Sequence, residues 1–463
     1  MSYQFILLGL CATLAACSGS DKKTDPVPTQ PTTDQTTTTA DGQPAQSVVG
    51  EFEGTTAFKV GDLLVIHKPI KSNQVVSAQL YFMGGSSRLD ATTQGIQKLA
   101  LSVAAQGGTT SMPKDQYNAK LDALGASIGS FTDRDYAGVT MKTVSPYFGD
   151  VWDMFTQVVL SPAMPEKEIE LIRKRQLNAY NTIFENNDSL VSYTASKMLF
   201  KGHPYEYTQL GTDKTIPTFT KAQLEAHQKS LLDPSQMFLV VVGDVPQDML
   251  RQKVEASFGA LKSTGSKLTA PPVIASQAPN VSFVAKDIPT NYIFGLFPAP
   301  EPSSADYPAM VVGMDYLSDR LFEEVRTKRN LTYAVSAGLS DKRSNYGYFY
   351  VTAVDPAKTM PVIFAEVDKI VQTPLNDQQI TETMNIFLTQ YYMSQETNSS
   401  QASMLADAQI TTGDWRNAPK FINALRQVKP ADIQRVMTKY VKNVQFGVVG
   451  KDPKVVELES LKR

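Results

Sequence analysis

Histidine and cysteine most often carry metal or thiol chemistry, and this chain has few of either. The three histidines are His67, His203 and His227, and no two lie close enough in sequence to form a local pair of metal ligands. Each is therefore expected to be a surface or hydrogen-bonded histidine. The two cysteines are Cys11 and Cys17, so no disulfide framework is expected.

Cys17 has a more specific interpretation. It follows the apolar run FILLGLCATLAA at residues 5–16, which is too short to span a membrane and fits a signal-peptide core. The sequence LAAC at residues 14–17 resembles a bacterial lipobox, whose cysteine is lipidated and becomes the first mature residue. The alternative is an ordinary secretory signal with a chance cysteine. Ser18, in place of the Asp associated with inner-membrane retention, favours an outer-membrane anchor on the periplasmic side.

Composition separates a tether from a globular part. Residues 18–47 contain no aromatic residue and are rich in Thr and Pro, so they cannot bury enough surface to offset their ordering entropy. We therefore assign a signal peptide to residues 1–16, and the lipidated cysteine with a disordered tether to residues 17–48. The chain of 463 residues is long enough for two or more domains. Its 44 basic and 46 acidic residues leave no basic footprint for nucleic acid.

The order of predicted elements repeats. The first half predicts a hairpin near residues 58–66 and a half-buried strand at 76–82. Helices at 91–106 and 113–125, strands at 127–132 and 135–144, four helices to residue 231 and a buried strand at 238–243 complete it. The second half predicts strands at 281–286 and 291–298, a helix at 305–327, and strands at 331–340 and 345–354. Helices at 358–372, 376–397, 399–410 and 430–441 and a strand at 444–450 follow. This order indicates a duplicated α+β domain, with boundaries at 49–262 and 281–463 and a linker at 263–280.

Several motifs carry a family resemblance over residues 50–455. They are the turn GGSSRLD at 84–90, LGASI with TDRD at 124–135, GHPY with LGT at 202–212, and the strand FLVVVGDV at 238–245. In order and spacing they resemble the M16 (insulinase or pitrilysin) peptidases. The resemblance implies two tandem homologous domains, each a mostly antiparallel sheet covered by long helices. Active members bind zinc through an H-x-x-E-H helix after the G-S-R turn, with a distant Glu as third ligand.

This chain departs from that pattern on the zinc helix. Aligned on Gly95, Lys98 and Ser102 take the places of the two histidines, and Leu101 takes the place of the glutamate. A protonated Lys has no lone pair to donate, and Leu cannot act as a base. The third-ligand segment, NAYN at 178–181, offers no carboxylate, and Glu185 nearby cannot hold zinc alone. The resemblance therefore implies no metal and no cofactor in this chain.

The second half retains a different feature of the family. Residues 322–333, FEEVRTKRNLTY, resemble the family segment F-x-x-x-R-x-x-x-x-L-x-Y. In M16 enzymes this Arg and Tyr bind a substrate carbonyl and stabilise the oxyanion. The resemblance assigns these catalytic roles to Arg326 and Tyr333. Arg329 is a competing candidate, and the alternative for the pair is a helix C-terminal cation and an ordinary strand aromatic.

One lost feature and one retained feature suggest a division of labour. Some M16 proteins work as two chains, one with H-x-x-E-H and one with the Arg and Tyr. The resemblance implies that this chain is the zinc-free subunit of a heterodimeric periplasmic peptidase acting on unfolded peptides, inactive alone, with zinc in its partner. A pseudo-peptidase that only binds peptides or serves as a scaffold is the alternative. An active metalloprotease with unusual ligands is the least favoured reading.

Overall fold

Strands alternating with long helices make up the described part of the chain. The computed structural model describes residues 49–266, 268–456 and 458–462. Cys17, the signal peptide and the predicted tether lie outside these residues. The strands are β1 Gly50–Phe52, β2 Thr55–Val60, β3 Leu63–Pro69, β4 Val75–Met83, β5 Gly108–Thr109, β6 Met112–Pro113, β7 Ser127–Thr132, β8 Tyr136–Val144, β9 Met237–Gly243, β10 Asn280–Ala285, β11 Asn291–Pro298, β12 Val335–Leu339, β13 Tyr346–Ala353 and β14 Gln445–Gly450.

Most helices are long enough to cover a sheet. They are α1 Ile96–Gln106, α2 Lys114–Ala123, α3 Phe148–Leu160, α4 Glu166–Glu185, α5 Asn187–Leu199, α6 Lys221–Ser230, α7 Gln247–Phe258, α8 Tyr307–Leu321, α9 Pro356–Gln372, α10 Asp377–Met393, α11 Asn398–Thr412, α12 Asn417–Arg426, α13 Pro430–Tyr440 and the short α14 Pro453–Val456. Of the helices in the described ranges, none combines the length and apolar character that a membrane crossing requires.

The two sheets share one topology, which confirms the duplicated α+β fold. The first sheet has the strand order β1-β2-β3-β9-β4-β8-β7, and the second has the order β10-β14-β11-β13-β12. In each, the last strand along the chain enters beside the first strand of the repeat in parallel, as β9 does with β3 and β14 with β10. The other pairings in the shared five strands are antiparallel. Strands β1 and β2 are additions to the first sheet.

Each half covers one face of the other half's sheet. Helix α11 packs on β4 and β9 of the first sheet, and α5 packs on β11 and β14 of the second. The opposite faces hold the two main cores, which are closed by each half's own helices. This exchange corrects one prediction, because β4 was expected to be half-buried but is buried on both faces.

Other predicted elements agree with the structure within about five residues. The strand predicted at 331–340 begins only at Val335, because residues 328–334 form a loop. Strands β1, β5 and β6 and helices α7, α12 and α14 were not predicted. His67 is 2% exposed on β3, and burial lowers its pKa to about 4.

Candidate functional site

Residues 322–333, which are predicted to carry the Arg and Tyr, begin with an irregular turn at the end of helix α8. Helix α8 continues into a π-helical turn, Phe322–Thr327, in which the Lys328 amide donates to the Glu323 carbonyl at 2.9 Å. Such turns widen the helix by one residue and recur at functional sites. Asn330 then adopts a left-handed conformation with φ of 52°, which ends the helical path. The turn therefore fixes where residues 326–333 leave the helix.

Arg326 lies on this turn without an ionic partner. No salt bridge or hydrogen bond joins its guanidinium to any described residue, and its carbon Cζ lies 4.7 Å from the centroid of the Phe322 ring. Phe322 itself is 48% exposed. A guanidinium over an aromatic face is held by the ring's quadrupole while its N–H donors stay available. Arg326 is thus an oriented cation with free donors. The Phe322 contact was not predicted, although its position one helical turn before Arg326 could have indicated it.

The neighbouring cations are held in place by a buried glutamate. Glu324 is 6% exposed, and its carboxylate accepts from Arg329 at 2.5 Å, from Lys328 at 2.7 Å and from Arg320 at 2.7 Å. Hydrogen bonds from Arg329 and Lys328 lower the pKa of Glu324 to about 2. Arg329 also donates to the Glu324 carbonyl oxygen at 2.8 Å. Because Arg329 is tied into this network, the geometry favours Arg326 as the cation available to a ligand.

Tyr333 is the most exposed large apolar side chain among the described residues, at 84%. Its backbone is fixed on both sides. The Thr332 hydroxyl accepts from the Ala334 amide at 3.0 Å and lies 3.2 Å from the Thr352 hydroxyl on β13. Tyr333 therefore precedes the edge strand β12 from an anchored backbone. The Tyr333 phenol and the Arg326 guanidinium, neither hydrogen-bonded to a described residue, can each donate to a carbonyl oxygen or to an oxyanion.

The helix aligned with the zinc site is α1. Leu101 is fully buried in the core beneath the first sheet, whereas Lys98 and Ser102 are half-buried. Burial lowers the pKa of Lys98, and no described acidic residue pairs with it. Helix α4, which carries residues 178–181, packs beside α1, and its Gln176 amide donates to the Gly95 carbonyl at 3.0 Å. The helices thus have the expected arrangement, but their side chains differ from a metal site.

Comparisons with known proteins agree with this geometry. Residues 64–213 match the family model of the insulinase peptidases, family M16, and residues 218–387 match that of the peptidase M16 inactive domain. The chain belongs to the M16 peptidase family. An uncharacterized zinc protease of Rickettsia felis is 21% identical over 383 residues, which cover 81% of this chain and 92% of that protein. The β subunit of the mitochondrial-processing peptidase of Caenorhabditis elegans is 24% identical over 143 residues, 31% of each chain.

Solved structures share the M16 fold. A Pseudomonas fluorescens structure described as a peptidase M16 inactive domain has a TM-score of 0.77 at 18% identity, over 86% of this chain and 98% of that one. A Helicobacter pylori protease has a TM-score of 0.76 at 17% identity, over 86% and 99%. The periplasmic protease PqqL from Escherichia coli has a TM-score of 0.74 at 14% identity, but the match covers 87% of this chain and only 46% of PqqL.

The α1 side chains of this M16 chain do not fit zinc. A lysine ammonium repels a dication, a buried leucine supplies no donor, and the one remaining oxygen of Ser102 is a poor ligand by itself. Among the residues the structure describes, no group of three His, Cys, Asp or Glu side chains could hold a metal ion. No step of peptide hydrolysis can therefore be derived through a metal on this helix.

The other M16 motifs of the chain meet at the boundary between the two halves. Amides of the G-S-R turn donate to the TDRD hairpin, as Ser86 does to the Asp133 carbonyl at 2.9 Å. From the same hairpin, Asp135 accepts from the Tyr205 hydroxyl of the GHPY segment at 2.5 Å and from the Arg343 amide of the second half at 2.8 Å. His203 accepts from the Tyr205 amide and contacts the linker carbonyl of Pro272 at 2.7 Å. Asp135 therefore links the GHPY segment to the second half.

Proposed function

We propose that this chain is the non-catalytic, zinc-free subunit of a two-chain M16 peptidase, to which it supplies Arg326 and Tyr333. The observation that carries the proposal is the pair itself. Arg326 has free donors and an oriented guanidinium, and Tyr333 is 84% exposed on an anchored loop. Exposed aromatic and cationic groups held this way suit a site that another molecule completes.

The loss of function on α1 gives the second argument. With Lys98, Leu101 and Ser102 on that face, the chain needs another protein to activate water. PqqL supports the stoichiometry, since this chain matches only 46% of it and a single longer chain can hold two such units. The partner is expected to be an M16 chain with an intact H-x-x-E-H helix, and that chain would supply the zinc-dependent activation of water.

The chemistry of this chain's residues is then positioning and charge stabilisation. The Arg326 guanidinium donates to a carbonyl oxygen of an extended peptide and fixes its orientation. The Tyr333 hydroxyl donates to the oxygen that gains negative charge when the carbonyl is attacked. Removing one donor to such an oxygen commonly costs about 100-fold to 1,000-fold in turnover.

The test mixes this chain with a purified H-x-x-E-H chain and measures cleavage of an unfolded peptide. Arg326→Ala and Tyr333→Phe should each lower kcat by about 10-fold or more without dissociating the complex. Arg251→Ala is a matched control, because Arg251 also stacks on a phenylalanine, with Cζ 4.1 Å from the Phe58 ring centroid. Tyr392→Phe, at a tyrosine that is 58% exposed on α10, controls for the phenol. If the partner alone is as active as the mixture, the subunit role is contradicted, and a scaffold or peptide-binding role is favoured instead.

We also propose that the chain acts on the periplasmic side of a bacterial membrane, anchored to the outer membrane through lipid on Cys17. The lipobox-like sequence at residues 14–17 supports this proposal. Metabolic labelling with a fatty acid should mark the parent chain and not Cys17→Ala. Membrane fractionation should find the parent with the outer membrane and the variant released; equal fractionation of the two contradicts the anchor.

A further inference from the structure

A cavity of about 270 Å³ lies between the two halves, and neither Arg326 nor Tyr333 lines it. One wall is formed by the β1–β2 hairpin and β3 of the first half, and the other by α10, α11, α12 and their loops in the second half. The hairpin turn at 53–54 has φ of 48° and 70°, as a two-residue turn of this kind requires, and it pairs Phe52 with Thr55 at the cavity. Strands β1 and β2 have no counterpart in the second sheet, so this wall is specific to the first half.

The cavity has an apolar floor and aromatic walls. Leu405, Trp415 and Ile422 line it and are at most 6% exposed. Phe52 and Tyr392 add two further rings, and Tyr392, at 58% exposed, lies at the mouth. Aromatic side chains arranged in this way bind a planar ring by offset stacking or edge-to-face contact. Sites for drug-sized ligands begin at about 300 Å³, so this volume suits a compound with a single ring.

Two cations without ionic partners line the same cavity. The side chains of Lys68 and Arg426 make no salt bridge or hydrogen bond to a described residue. Lys68 is half-buried, and burial lowers its pKa, while attraction to Glu53 opposes that change. A partly desolvated cation is unfavourable unless an anion replaces its lost hydration. Glu53 is the one acidic residue lining this cavity, so the lining carries a net positive charge.

We infer that this cavity binds a small aromatic carboxylate, whose ring enters among Phe52, Trp415 and Tyr392 and whose carboxylate pairs with Arg426 at the mouth. An arginine fork matches the two oxygens of a carboxylate, and Lys68 adds positive potential from the β3 wall. The bound molecule touches both halves and so bridges the β1–β2 hairpin and α12. This site goes beyond the proposed function, because it requires neither a partner chain nor the residues proposed for peptide hydrolysis.

The probes separate the ring from the charge. Phenylacetate carries both, phenylacetamide has the same shape without the charge, and acetate has the charge without the ring. Binding to the purified full chain, without any partner, is followed by tryptophan emission and by isothermal titration calorimetry. Trp415 lines the cavity, whereas the other tryptophan, Trp152, lies in the core beneath the first sheet, so a change in emission reports on the cavity.

Phenylacetate should bind about 10-fold more tightly than either phenylacetamide or acetate. Arg426→Gln should abolish the preference for phenylacetate over its amide, and Lys68→Met should reduce it. Tyr392→Ala should weaken phenylacetate binding about 2-fold to 10-fold through loss of the ring contact. Arg251→Gln is the matched control, since Arg251 stacks on Phe58 of the opposite core and its loss changes the net charge equally. Saturating phenylacetate should raise the Tm of the parent and leave that of Arg426→Gln unchanged, and the same scans show whether each variant is folded.

Three results would overturn the inference. If phenylacetate does not bind, or binds no more tightly than phenylacetamide, the cavity does not recognise a carboxylate. Equal affinity for phenylacetate and acetate excludes binding of the ring. A preference for phenylacetate that survives in the folded double variant Lys68→Met, Arg426→Gln places the binding site elsewhere. Because the assay contains no second chain, its outcome is independent of whether the heterodimer forms.

Discussion

Tyr205 joins the two halves of the molecule through one hydroxyl group. This hydroxyl donates to Asp135 at 2.5 Å and accepts from the Ser344 amide at 3.1 Å. Asp135 and Tyr205 are 2% and 1% exposed, so water cannot replace either contact. In Tyr205→Phe the ring that packs on Phe200 remains, while the buried carboxylate loses its side-chain donor and the Ser344 N–H loses its acceptor.

The cost follows from these two losses. A hydrogen bond to a charged group contributes about 1.5–3 kcal/mol, and an unsatisfied buried N–H costs about 1–3 kcal/mol. Because the surroundings relax in part, we expect the free energy of unfolding to fall by about 3 kcal/mol. With about 2.1 cal/mol/K per residue over about 410 residues, the entropy of unfolding is about 0.9 kcal/mol/K. The expected decrease in Tm is therefore about 3 °C.

The deficit should depend on pH in a defined direction. Burial raises the pKa of Asp135, and the hydrogen bond from Tyr205 opposes part of that rise. The folded chain therefore holds this proton to a higher pH than the unfolded chain, whose Asp pKa is about 3.9, and the ionised carboxylate costs stability as the pH rises through that window. Loss of the hydroxyl raises the folded pKa further, so the variant's deficit is largest at pH 8 and shrinks towards pH 4.

Calorimetry of the parent and the variant between pH 4 and pH 8 measures both effects. Tyr207→Phe is the control, because the hydroxyl of Tyr207 makes no hydrogen bond to any other described residue and its removal should change Tm by under 1 °C. A change of under 1 °C for Tyr205→Phe would refute the assigned stabilising role. A deficit that is the same at pH 8 and pH 5 would show that Asp135 is not the group affected.

Three further predictions follow from single contacts. Leu405→Ala, in the core between α11 and the first sheet, should lower the free energy of unfolding by about 2–5 kcal/mol and shift one joint calorimetric transition; two separated transitions would contradict coupling of the halves. Because burial lowers the pKa of His67 to about 4 from about 6.5 in the unfolded chain, the parent should lose up to about 3 kcal/mol as the pH falls through that window, and His67→Leu should lose less over the same titration. Phe322→Ala should lower kcat of the mixed peptidase about 2-fold to 5-fold by releasing Arg326, and Phe322→Trp should retain it; equal kcat values would make the ring contact incidental.

Local sequence signals were sufficient for most elements of the fold. The alternation at residues 76–82 predicted β4, and its boundaries in the structure are Val75 and Met83. However, alternation of apolar and polar residues predicts only that one face of a strand is buried. It does not show which distant helix covers the opposite face. The burial of both faces of β4 depends on α11, more than 300 residues later in the chain. The same limit explains why the reciprocal packing of α5 and α11 was not predicted.

The sequence likewise predicted part of the candidate site, and the rest required the structure. The resemblance of residues 322–333 to the M16 segment singled out Arg326 and Tyr333, whose catalytic roles stay a prediction. What distinguishes Arg326 from Arg329 is the buried carboxylate of Glu324, and sequence spacing gives no measure of burial. The link between Asp135 and Tyr205 joins residues 70 positions apart, and no local pattern indicates that contact.

The distribution of M16 features in this chain follows from what folding requires. The turn at 84–90 is hydrogen-bonded to the TDRD hairpin, and Asp135 of that hairpin and Tyr205 of the GHPY segment bond to the second half, so changing them would cost stability. On α1, the side chains of Lys98 and Ser102 make no hydrogen bond to another described residue. Leu101 adds apolar packing to the core there, while Lys98 and Ser102 are half-buried beside the edge strand. The side chains on this helix face can therefore vary while the fold that presents Arg326 and Tyr333 stays intact.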